Sequence, residues 1–77
     1  MTDNAVPPYD AVAGFEVALS VLTDLIALAS APGAPVEVSA RLDEWVHRRA
    51  SLTWSDNEAV HEILHHDAKV LRNLLRP

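Results

Sequence analysis

The chain is 77 residues long, 49% hydrophobic and 22% charged, which is the composition of one small globular domain and excludes a low-complexity or disordered chain. Eleven acidic residues against six basic ones give a formal net charge of −5, which disfavours a nucleic-acid binder living on phosphate contacts. No cysteine is present, so a disulfide framework, a thiolate metal site and a cysteine nucleophile are all excluded.

Residues 1–9 contain Pro7-Pro8 and are expected to form a flexible segment ahead of a single helical domain over 10–77. The run Met1-Thr2-Asp3-Asn4 lacks the basic start of a secretory signal, so the expected compartment is the cytoplasm.

The first helix is expected over about 10–30, with Asp10 as its N-cap. Val12, Phe15, Leu19, Leu22, Ile26 and Ala29 recur at spacings of three and four. With Val17, Val21, Leu25 and Leu28 the apolar arc covers roughly 220° at ~100° per residue. That is about twice the stripe a surface helix needs. The excess predicts a partner, and Phe15, Leu19, Leu22, Leu25 and Ile26 are the expected interface of a homodimer. Asp24 in the middle of the most apolar stretch, Val17 to Ala31, argues against a membrane span.

Pro32-Gly33-Ala34-Pro35 breaks the chain, and a second helix is expected over about 36–51. Its apolar face holds Val38, Leu42, Trp45, Val46 and Leu52, with Arg49 intruding on it. The third helix, about 56–76, opens with a capping-box pattern, Ser55-Asp56-Asn57-Glu58, and Trp54 precedes it as a candidate hydrophobic staple. Val60, Ile63, Leu64, Val70, Leu71, Leu74 and Leu75 form its apolar arc, and Asp67 falls at the centre of that arc. Three helices joined by short connections predict an all-α, three-helix antiparallel bundle, completed by homodimerisation because so small a chain buries too little surface alone.

Two features bear on chemistry. His61-Glu62-Ile63-Leu64-His65 fits the HExxH pattern of zinc peptidases, in which two imidazoles on one helical face share Zn²⁺ and the glutamate acts as base. A third ligand is missing nearby and would have to come from His47, Glu44 or a second subunit. Asp67 must be paired if it is buried. Folding the second and third helices together near residue 53 puts it level with residue 40 or so, within reach of Arg41. Arg49 lies roughly 13 Å further along the axis and would reach Asp67 only across a dimer, so the expected buried ion-pair set is Asp67, Arg41 and Arg49.

Arg48 and Arg49, with Arg41 and His47, form a small basic patch, which leaves a weak nucleic-acid-binding regulator as a further alternative. The preferred reading is a non-catalytic protein–protein interaction or regulatory module, bound to itself and to another protein and using no cofactor. A metal-binding protein or zinc-dependent hydrolase using His61, His65 and Glu62 is the main alternative.

Overall fold

The computed structural model describes residues 9–76, so the segment 1–9, Tyr9 excepted, lies outside the described residues. The described chain is all-helical and has no strand: α1 spans Tyr9–Ala29, α2 Val36–Ser39, α3 Leu42–Ser51, α4 Asn57–Glu62 and α5 Ala68–Leu75, with a π-helical turn, Ile63–Asp67, joining α4 to α5. These make three helical runs: α1, α2 with α3, and α4–π–α5.

Local chemistry sets the boundaries. Asp10 lies inside α1 and is therefore not its cap. At the other end the Ser30 hydroxyl and amide both donate to the Ile26 carbonyl, at 2.8 and 3.0 Å, and Pro32 prevents continuation. Gly33 turns the chain with φ at +83°, a left-handed conformation that a side chain would strain. The second run is not one uniform helix. At Arg41 (φ −96°, ψ 4°) the backbone tightens, its amide donating to Val38 three residues back at 3.0 Å, before α3 begins at Leu42. The cap of α4 is Asp56, whose carboxylate accepts from the Ala59 amide at 3.2 Å, whereas the capping-box pattern places it at Ser55. That one-residue shift carries Trp54 a position further from the helix, and it stays 40% exposed instead of stapling.

The core is built on α1. Ala18, Leu22, Leu25, Trp45 and Ile63 are completely buried, and Val21, Ala29, Val38, Leu52, Val60 and Leu71 complete the cluster. The second and third runs each pack mainly against α1 and far less against one another. The wide apolar arc of α1 is thus covered on both flanks by its own chain.

This corrects the expected dimer interface: Leu22 and Leu25 are inside the core, and Phe15, Leu19 and Ile26 are half-buried against it. Only Val17 of that arc is largely exposed, at 53%, because the arc is wider than two neighbours can cover. Ala11–Ala29 is also long and apolar enough to cross a membrane by length and composition, with a mean hydropathy of 1.9.

Two stability effects follow from the packing. Leu25→Ala should cost about 2–5 kcal/mol in a urea titration, since it opens a cavity at a fully buried position. Gly14 lies mid-helix, and a Cβ there would meet Val60 Cγ1 at 3.6 Å and Leu64 Cδ1 at 4.0 Å, both ordinary contacts. Gly14→Ala should therefore stabilise the chain by about 0.5–1 kcal/mol and raise its Tm by several degrees.

Candidate functional site: a buried carboxylate, a histidine face and an apolar end

Asp67 is 1% exposed and is the one buried charged residue among the described residues. Its position in the core follows from the winding of the third run. An α-helical step of four residues over-rotates by ~40°, whereas the wider π turn winds more slowly. The Ala68 amide donates to the Ile63 carbonyl five residues back, and the two deviations offset each other. Ile63, Asp67 and Leu71 therefore stand in one buried row.

A carboxylate in such a row costs several kcal/mol unless it is paired and hydrogen-bonded. Arg48 Nη1 donates to Asp67 Oδ2 at 2.6 Å, a short charge-assisted bond, and Arg41 Nη2 stands 3.8 Å from Oδ1. Glu44 joins the two arginines from the solvent side: Arg41 Nη2 and Arg48 Nη2 each lie 3.1 Å from its Oε2. The Arg41 hydrogen bond holds the Glu44 carboxyl below the usual carboxylate range, and the same bond raises the Arg41 guanidinium. Arg41 also lies over the Trp45 ring, 4.8 Å from its centroid, a cation–π contact. The buried Trp45 Nε1–H has no acceptor among the described residues.

Sequence reasoning missed Arg48. In the sequence it reads as part of a basic patch, yet Arg41, Glu44 and Arg48 fall at i, i+3 and i+7 and so share one face of the second run. Arg49 lies ~100° further round, and its Nε donates to the Thr23 hydroxyl of α1 at 2.9 Å. Within the chain it takes no part in the Asp67 cluster, as its distance along the helix axis leads one to expect. All three arginines of the supposed basic patch are engaged within the chain.

His61 and His65 are exposed on one face, their ring centroids 4.1 Å apart and their planes tilted by 39°. Glu62 points to a neighbouring stripe, 3.8 Å from His66 Nε2. No third histidine or carboxylate joins them in a metal-holding group among the described residues. His47 is turned to the Asp43 carbonyl on α3 and Glu44 is held by its arginines, so neither proposed third ligand is at hand. A zinc hydrolase needs three protein ligands and an open position, and this arrangement offers two.

The third feature is the end of the molecule where the Pro32–Pro35 turn meets the C-terminus of α5. Two shallow depressions share Leu28: one is lined by Ala31, Pro35, Val38 and Leu74, the other by Asp24, Ala27, Leu71 and Leu75. Leu75 is 62% exposed and Val36, nearby in sequence, 80%.

The ion cluster predicts an asymmetry. Arg48→Met leaves a buried carboxylate short of its partner and should cost about 3–5 kcal/mol, read by chemical denaturation. Asp67→Leu should cost far less, because the arginines, 38% and 31% exposed, turn to water. Glu44→Gln should cost no more than about 1 kcal/mol at neutral pH, since the pair is largely solvated. Its carboxyl is depressed in the folded state, so this contribution is present above the unfolded glutamate range and fades as pH falls through the lowered value.

Compared with known proteins, the chain matches no family model, no curated protein and no solved structure.

Proposed function

We propose that the chain is a small, non-catalytic protein–protein interaction or regulatory module of the cytoplasm, an antiparallel three-helix bundle that works as a homodimer. The observation that carries this reading is the uncovered apolar end, where Leu75, 62% exposed, lines one of two depressions that share Leu28, and Leu74 and Val38 line the other. Apolar side chains grouped in this way, with charge around them, are characteristic of association surfaces. The expected interface on α1 is spent inside the core, so the association surface moves to this end.

The charges around the end favour a second copy as the occupant. Asp24 and Glu37 are acidic and Arg72 and Arg76 basic, all four are exposed, and none forms an ion pair among the described residues. A two-fold pairing sets the same patch against itself, so each copy's arginines are offered the other's carboxylates. Covering Leu75 and its counterpart contributes on the order of 1–2 kcal/mol each, in keeping with a weak, concentration-dependent dimer.

Sedimentation equilibrium over a range of concentrations tests the proposal. Wild type should approach twice the chain mass, and Leu75→Glu should return it to the monomer with its helical circular dichroism unchanged. Arg72→Glu should weaken the dimer and Asp24→Arg in the same chain should restore it. A wild type that stays monomeric at the highest concentration overturns the homodimer; a dimer indifferent to Leu75→Glu overturns its placement.

A further inference from the structure

We propose that His61 and His65 form a two-imidazole surface site for a borderline divalent transition-metal ion of the Cu²⁺, Ni²⁺ and Zn²⁺ class. The site lies on α4 and the π turn, at the other end of the third run from the apolar surface, so it stands or falls independently of the dimer.

The geometry carries the assignment. His61 is in the last turn of α4 and His65 inside the π turn, and the four-residue step leaves their rings side by side at 4.1 Å. Two imidazoles that bind one ion through nitrogens at 2.0–2.1 Å have ring centroids about 5 Å apart. Both side chains are exposed, so the rings open to that separation by rotation about free side-chain bonds. Neutral imidazole is the ligand these three ions share, and harder ions such as Mg²⁺ and Ca²⁺ prefer carboxylate and water.

The neighbouring groups decide what kind of site it is. His66 is 72% exposed but lies on the adjacent stripe beside Glu62, so it does not complete the pair. With two protein ligands, the remaining positions are open to water or to a small ligand. Micromolar rather than nanomolar binding follows, and the hydrolytic role of the HExxH pattern does not. Glu58, one turn before His61, favours a cation electrostatically, and Lys69, one turn beyond His65, opposes it. A bound ion bridges α4 to the π turn two residues before Asp67, and so stabilises the junction on which the buried row depends.

The test is calorimetric titration of the untagged 77-residue chain with NiCl₂, ZnCl₂ and CuCl₂ near neutral pH, with Tm followed in parallel. One ion should bind per chain, and Tm should climb with the free metal concentration. His61→Ala and His65→Ala should each weaken binding at least tenfold, whereas His66→Ala should change it less than twofold. Paramagnetic broadening by Ni²⁺ or Cu²⁺ maps the site on the unmutated chain, and the ring protons of His61 and His65 should disappear first. Absence of binding below millimolar metal overturns the site, and so does a His66→Ala variant as impaired as the other two.

Discussion

The Asp67–Arg48 bond is the strongest polar link between the second and third helical runs, which otherwise meet mainly through α1. Hydrophobic burial holds each run against α1 without fixing how far it slides along it, because dispersion and area burial are not directional. A buried carboxylate is directional. Asp67 loses its partner if the third run moves by a turn, and leaving it unpaired costs more than most single side chains contribute. The cluster therefore specifies a register more than it adds stability, and its four side chains carry two charges of each sign.

The same cluster coincides with the break in the second run. Arg41 reaches Asp67, stacks on Trp45 and meets Glu44 at once, and the backbone at Arg41 departs from regular α-helix. Trp45 is the largest fully buried side chain among the described residues, and its indole N–H finds no acceptor among them. Filling the space between α1 and α3 thus outweighs a hydrogen bond worth about 1–3 kcal/mol when unmade.

Much of this was legible in the sequence. The periodicity of Val12 to Ala29 marks α1, and the proline-glycine turn marks its end. Asp67 on an apolar arc announces a buried charge, and Trp45 announces a core. What periodicity cannot supply is the relative register of two runs. Setting Asp67 level with residue 40 assumes straight helices and a tight reversal near residue 53. A cap at Asp56, the tightened backbone at Arg41 and the π turn each shift the alignment, and together they bring Arg48 into reach. The wide arc of α1 was visible too, but width alone does not say whether its neighbours come from the same chain or another. Here two runs of the same chain suffice for most of it. The histidine pair was legible by its four-residue spacing.

The π turn also bears on descent. A single wide turn inside an otherwise α-helical run is what the insertion of one residue leaves behind when the flanking helix is kept. A chain of common ancestry without that residue would carry Leu71 and Leu74 about 100° round the helix from their places here, and would have to repack or lose the Asp67 pair. Relatives that lack the π turn should accordingly align with a one-residue gap between residues 63 and 67, and where an acid is kept at 67 an arginine should be kept at 48.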